Sequence, residues 1–296
     1  VGEFTIVKPL KPYLGRGSRD ASAYHVIYKS GDLAITGWLY LPPEDYNGSP
    51  RSGHPVDLPA PDGGAMVVGH GGIWGIPAHY DNTLRRLASA GWTIAVPNYR
   101  GEGGSDGKIE FAMGEVDDAV ACWKALTSLP GVNPSKTWLM GSSHGAMVNL
   151  LALCREDSGC NFPGAIAASG VYDLPQWLMW LEETGHFLLE EPVFKRLLDA
   201  GFEELEKRSV IYKVDKIRAP VFLLHGESDT MVPDSQARDM AEQLAASGHE
   251  NHRLRIDIGV DHEYIWAPDR SQSIDAWSDI LKFIESDGLV DRPADE

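Results

Sequence analysis

Thr137-Trp138-Leu139-Met140-Gly141-Ser142-Ser143-His144-Gly145-Ala146-Met147-Val148 joins one apolar run to another through Gly-x-Ser-x-Gly. The first run reads as a buried strand and the second as a helix, so the pentapeptide falls on a sharp strand-to-helix turn. A serine on such a turn has a strained backbone, and glycines two residues before and after it avoid steric collision. Ser143 is therefore the candidate nucleophile. Gly-x-Ser-x-Gly alone arises often by chance, but a strand before it and a helix after it lift it above that level.

A serine hydroxyl needs a base to take its proton, and that base needs a third group to fix its tautomer. On the fold that uses this elbow the order is serine, then Asp or Glu, then histidine, each on a loop after a strand. Val221-Phe222-Leu223-Leu224 reads as such a strand, and Asp229 lies in the loop that follows. After a helical stretch from about Asp234 to Ala246 and a strand near Arg253 to Ile258, the chain reaches Gly259-Val260-Asp261-His262-Glu263. His262 is the candidate base. Asp229 is favoured as the acid over Glu227, Asp234 and Asp261: Asp234 more simply caps its helix, and Asp261 is too close in sequence to reach the far ring nitrogen of His262. His225 reads as a packing or hydrogen-bonding residue, and His249 and His252 as a helix end and a strand start.

The negative oxygen that develops on an attacked carbonyl needs donors. Ala65-Met66-Val67-Val68-Gly69 reads as a core strand, and His70-Gly71-Gly72-Ile73-Trp74-Gly75 follows it directly. Small residues there let backbone amides approach the substrate, which points to the amides of Gly72 and His144 as the oxyanion hole. The His144 side chain is expected only to line the pocket.

Together these segments resemble the catalytic domain of the prolyl oligopeptidase family and its esterase-like relatives among the α/β-hydrolases. The matching pieces are His70-Gly71-Gly72, Asn98-Tyr99-Arg100-Gly101, Gly141-Ser142-Ser143-His144-Gly145, His225-Gly226 with Asp229 and Val232-Pro233, and His262. They run from about Ala23 to Ile284. The resemblance implies a Ser143–His262–Asp229 triad and no cofactor. Larger members of the family carry a β-propeller before the catalytic domain. Fewer than about seventy residues precede the His-Gly-Gly loop, and no propeller is expected. The residues around the serine also differ from those of many peptidase relatives, which directs the expectation to ester hydrolysis.

The chain of 296 residues is long enough for one domain with a sizeable core. Its formal charge of −17 opposes nucleic acid or an anionic membrane surface as a partner, and no apolar run suits a bilayer span. Cys154 and Cys160 flank a short polar loop, and the reading leaves open a disulfide in an oxidising compartment or three free thiols with Cys122 in a cytoplasmic enzyme. The chain starts at Val1, and a secreted or periplasmic location stands beside a cytoplasmic one. No cysteine–histidine spacing suggests a metal.

Tyr24 to Tyr28 and Leu33 to Tyr40 read as an antiparallel pair, and Pro42 to Pro61 as a polar connection. From Met66 onward strands and helices alternate, with helices around Asn82 to Ala90 and Glu115 to Ser128, which predicts an α/β fold: a mostly parallel, twisted sheet covered by helices on both faces. One domain over residues 1–296 is expected. Over residues 172–208 the alternation breaks into short amphipathic helices, expected as a cap over the site. Trp177, Trp180 and Phe187 are its candidate pocket walls, with Trp74 beside the oxyanion loop. Arg100, Asp117 and Asp118 read as structural, through charge-assisted hydrogen bonds.

The expected function is hydrolysis of a small carboxylic ester through an acyl-enzyme. A serine aminopeptidase or acyl-peptide hydrolase is the alternative, taking short peptides and excluding large ones by its cap or by assembly as a homo-oligomer. Glu182, Glu183, Glu190 and Glu191 are then candidates to hold the peptide amine. A silent binding protein on the same fold would normally have lost a triad member or the glycine loop, and all are present here.

Overall fold

The computed structural model describes residues 4–13, 20–48 and 59–289. Much of the connection read over Pro42 to Pro61 lies outside them. Strands β1 (Thr5–Pro9), β2 (Ser22–Ser30) and β3 (Leu33–Leu41) form an antiparallel meander. Gly31-Asp32 makes the β2–β3 turn with Gly31 at φ +57°, a hairpin conformation that glycine takes without a Cβ penalty. The first strand of the meander has no counterpart in the sequence reading.

Then come β4 (Ala65–Gly69), helix α1 (Tyr80–Ser89), β5 (Thr93–Pro97), α2 (Gly114–Thr127), β6 (Thr137–Ser142), α3 (His144–Leu153) and β7 (Ala165–Ala168). Helices α4 (Leu174–Thr184), α5 (Pro192–Leu198) and α6 (Phe202–Arg208) follow, before β8 (Val221–Gly226), α7 (Ser235–Ala246), β9 (His252–Asp257) and α8 (Ser271–Glu285). Among the described residues, nine strands form one sheet in the order β1-β2-β3-β5-β4-β6-β7-β8-β9. The meander joins antiparallel through β3–β5, and every later pairing is parallel.

Strands β4, β6, β7 and β8 are buried on both faces, which is why they read as largely apolar runs, whereas the edge strand β9 is half-buried and alternates charged with apolar residues. Successive residues of β6 and β8 point to opposite faces: Leu139, Val221 and Leu223 join α2, α3, α7 and the inserted helices, while Trp138, Met140, Phe222 and Leu224 meet α1 and α8. Asp234 precedes α7 but makes no side-chain cap, contrary to expectation; its carboxylate instead binds Arg238 Nε at 2.8 Å, one turn along. The three cysteines are free thiols. Among the described residues, no helix is long and apolar enough to cross a membrane.

Candidate active site

Glycine at 141 and 145 is required by close approach rather than by backbone angle. A Cβ on Gly145 would lie 2.2 Å from the Gly69 carbonyl carbon, and one on Gly141 would lie 2.3 Å from the Gly145 oxygen. With Gly69 and Gly141 paired in register, β4, β6 and the first turn of α3 meet as bare backbone. Ser143 closes that turn at φ +54°, ψ −120°, a region costly for a residue with a Cβ. It faces a cavity of about 330 Å³ whose walls include Gly71, Gly72, Trp74, His144 and His262.

Asp229 follows β8 and His262 follows β9, at the carboxyl ends of the parallel strands. His262 Nδ1 and Asp229 Oδ2 are 2.6 Å apart. The other carboxylate oxygen accepts the amides of Met231 and Val232 at 2.8 and 2.9 Å. His225 Nε2 lies 3.1 Å from Asp229 Oδ2 and 2.9 Å from the Val232 carbonyl. Both are acceptors, so this nitrogen carries a hydrogen. Thus two imidazoles share one carboxylate oxygen. Burial opposes ionisation of Asp229, but hydrogen bonds and charge from His225 and His262 outweigh it and hold the group well below the usual carboxylate range. Burial likewise opposes protonation of His262, yet Asp229, with Glu263 and Asp261, raises its pKa.

Of the other acids weighed, Asp234 is bound to Arg238 and Asp261 to Arg270 at 3.4 Å. Glu227 Oε2 accepts the Gly259 amide at 3.3 Å. None of these contacts involves His262.

The candidate oxyanion loop, His70 to Gly75, is held by side chains beneath it. His70 Nδ1 bonds the Gly71 carbonyl at 2.9 Å, and since a trans peptide sets its N–H opposite its C=O, the Gly72 N–H points away from His70. His144 carries more than a pocket wall. Its Nε2 accepts the Ala112 amide at 3.2 Å, so Nδ1 bears the hydrogen and donates to the Gly72 carbonyl at 3.1 Å. Burial lowers the His144 pKa to about 4 and keeps this neutral tautomer in place. Being the first residue of α3, it also has a backbone N–H with no intrahelical acceptor.

Further along the loop, Gly75 N donates to Glu102 at 2.6 Å and Ile76 N to Asn98 at 3.0 Å. Burial pushes Glu102 up to about 8, so it carries its proton at neutral pH and adds no charge beneath the loop. The Asn98-Tyr99-Arg100-Gly101 segment therefore scaffolds the site. Arg100 binds Asp118 with Nε at 3.0 Å and Nη2 at 2.9 Å, as a structural role requires, whereas Asp117 pairs with Arg155 instead.

Two of the four aromatic residues expected to line the pocket do so: Trp74 and Trp177. Trp180 instead packs on His186, ring centroids 5.7 Å apart, and Phe187 is 62% exposed because its neighbour Leu188 takes the inward position of that turn. Phe111 and Phe194 add two further aromatic rings to the wall. Phe111 stacks on the His144 ring at 4.5 Å and 3°, and the Trp177 ring lies parallel to it at 6.2 Å. Sequence periodicity gave no sign of Phe111, because it sits at φ +62° in an irregular loop. Glu115 stabilises that loop by accepting the amides of Glu110, Phe111 and Met113.

Of Glu182, Glu183, Glu190 and Glu191, none lines the cavity, and Glu190 is bound to Lys195 at 3.0 Å. Among the described residues, the one carboxylate lining the cavity is Glu263, whose Oε2 meets His79 Nε2 at 2.9 Å. Neither Glu263 nor His79 was singled out in the sequence, since each acquires its place only through the fold.

A parallel sheet carrying a strained serine at a strand-to-helix turn defines a serine hydrolase of the α/β-hydrolase class. The sequence profile of the prolyl oligopeptidase family matches residues 78–287, and the chain belongs to that family. It is 26% identical over 233 residues to the uncharacterized peptidase YtmA of Bacillus subtilis, covering 77% of this chain and 81% of that protein. It is 27% identical over 171 residues to the probable carboxylic ester hydrolase LipM of Mycobacterium tuberculosis, covering 54% of this chain and 39% of LipM. The acylaminoacyl peptidase of Pyrococcus horikoshii shares the fold with a TM-score of 0.70 at 20% identity, over 94% of this chain and 43% of that one.

Proposed function

We propose that this protein hydrolyses carboxylic esters through an acyl-enzyme on Ser143. The observation that carries the reading is the 2.6 Å contact of Asp229 with His262 Nδ1, on the wall of the cavity that Ser143 also faces. Asp229 holds Nδ1 protonated and leaves Nε2 to take the serine proton. Ser143 Oγ attacks the carbonyl carbon, and the oxyanion meets the amides of Gly72 and His144, each worth about 3 kcal/mol of barrier. The tetrahedral centre collapses, His262 protonates the departing alcohol, and water repeats the sequence to release the acid. The apolar wall of Phe111, Trp177, Leu188 and Phe194 takes the acyl group. Matched ester and amide substrates test the reading. A higher kcat/KM for the ester supports it; a higher value for a short peptide or aminoacyl amide favours the peptidase alternative, for which the peptidases among the relatives speak.

The general base must be neutral to act, and the His262 pKa is raised. Activity is therefore expected to fall with decreasing pH at a midpoint above the ordinary imidazole value of about 6.5. A kcat/KM profile with its acid limb below that value contradicts the assignment.

His144→Phe preserves the stack on Phe111 but strips the Gly72 carbonyl and the Ala112 amide of their partner. Each orphaned buried group costs about 1–3 kcal/mol of stability. We expect a lower denaturation midpoint and a kcat reduced about tenfold or more, with KM changed less, because the loosened loop acts on the oxyanion rather than on bound ester. Unchanged kcat in the folded variant speaks against the oxyanion role of this loop.

A further inference from the structure

We propose that Glu263, paired with His79, forms a subsite for a cationic leaving group, so that the preferred substrates are esters of ammonium-bearing alcohols. The inference rests on the ester-hydrolase reading above and deepens it. Among the described residues, Glu263 is the only carboxylate lining the cavity, where the other side chains are mostly apolar or aromatic. Its side chain is 42% exposed, at the mouth rather than in the core. Oε2 is held by His79 Nε2 at 2.9 Å, which orients the carboxylate, while no hydrogen bond from the described residues reaches Oε1. An oriented carboxylate with an open oxygen suits an ammonium group.

Position sets which end of the substrate it meets. His262 must hand its proton to the departing oxygen, so the alcohol leaves past the His262 ring, and Glu263 is the next residue along the chain. His79, immediately before α1, and Glu263, immediately before the Tyr264–Trp266 turn, come from elements that pack together. The acyl wall comes from other segments: Phe111 lies before α2, and Trp177, Leu188 and Phe194 lie between β7 and β8. Trp74, 61% exposed and also lining the cavity, adds an aromatic ring of the kind that attracts quaternary ammonium ions.

The measurement is a ratio on one enzyme: kcat/KM for a choline ester over that for the isosteric, uncharged 3,3-dimethylbutyl ester of the same acid. Working at pH 8.5 rather than at neutral pH favours the neutral form of the candidate base, low salt leaves the charge contact unscreened, and taking the ratio removes any effect of Glu263 on His262 common to both substrates. The wild-type ratio is expected to be about ten, the size of one half-exposed ion pair with Glu263 together with a cation–π contact on Trp74, since choline has no N–H to donate. It should fall toward one in Glu263→Gln and in high salt. Tetramethylammonium is expected to inhibit the wild type competitively and the variant severalfold less well. A wild-type ratio near or below one, with both esters cleaved in a Ser143-dependent way, overturns the subsite alone, as does a ratio unchanged in Glu263→Gln. No Ser143-dependent cleavage of either ester overturns the ester-hydrolase reading and the subsite with it.

Discussion

Ser143→Ala is expected to reduce kcat by about 10⁶-fold, the scale seen when a serine nucleophile is removed from a complete triad. Without Oγ no acyl-enzyme forms, and only the oxyanion donors and substrate binding remain to accelerate direct attack by water. The folded state should be little affected. Ser143 Oγ caps no backbone amide of α3, and alanine has a Cβ as serine does, so the strain at φ +54° is common to both. Labelling by a fluorophosphonate should disappear with the same substitution. If the alanine variant were labelled like the wild type, or kept more than a thousandth of its esterase activity, the nucleophile would have to be sought elsewhere. Absence of Ser143-dependent labelling in the wild type would identify a silent member of the fold.

Asp229→Asn should cost about 10⁴-fold in kcat, through the tautomer of His262. The geometry dictates how the amide must lie. Asp229 Oδ1 accepts two backbone N–H groups, from Met231 and Val232, so the asparagine oxygen is required there. The amide nitrogen must then stand where Oδ2 accepts from His262 Nδ1 at 2.6 Å and lies 3.1 Å from His225 Nε2. Donor faces donor. His262 escapes by moving its hydrogen to Nε2, and that nitrogen can then no longer accept the serine proton. His225 retains the Val232 carbonyl at 2.9 Å, so the loop itself has a reason to hold. Circular dichroism like that of the wild type together with lost activity is the expected pair of results. A variant within tenfold of wild-type kcat would remove Asp229 from the mechanism.

Much of the site was legible as residue types at fixed places after strands. Apolar runs ending in Gly69, Met140 and Leu224, and an alternating stretch ending near Ile258, mark strands, and a loop at the carboxyl end of a parallel strand is where side chains are presented to a ligand. Four such loops carry the glycine run, the serine, the acid and the histidine. The serine-to-base order therefore emerges from periodicity and spacing alone. Trp74 was legible as a pocket residue because it lies beside the glycine run, whereas Trp177 was one of three cap aromatic residues offered together.

Other features are pairings that no local pattern encodes. The role of His144 depends on where Gly72 and Ala112 come to rest, 72 and 32 residues away in the chain. Helix periodicity could not separate Trp177 from Trp180, which lie on nearly the same face; packing against Phe111 and Phe194 on one side and His186 on the other did so.

By itself, the sequence determined the parallel α/β architecture, the strand-to-helix elbow at Ser143, and the loops holding Asp229 and His262. These follow from hydrophobic periodicity and from the glycines that permit backbone to touch backbone, both of which are local. Tertiary structure alone decided that His225 and His262 share one carboxylate oxygen, that His144 grips Gly72, that Phe111 walls the cavity, and that Glu263 meets His79 across its mouth. Each is a contact between segments distant along the chain, and hydrogen-bond direction and side-chain packing exist only once those segments have been brought together.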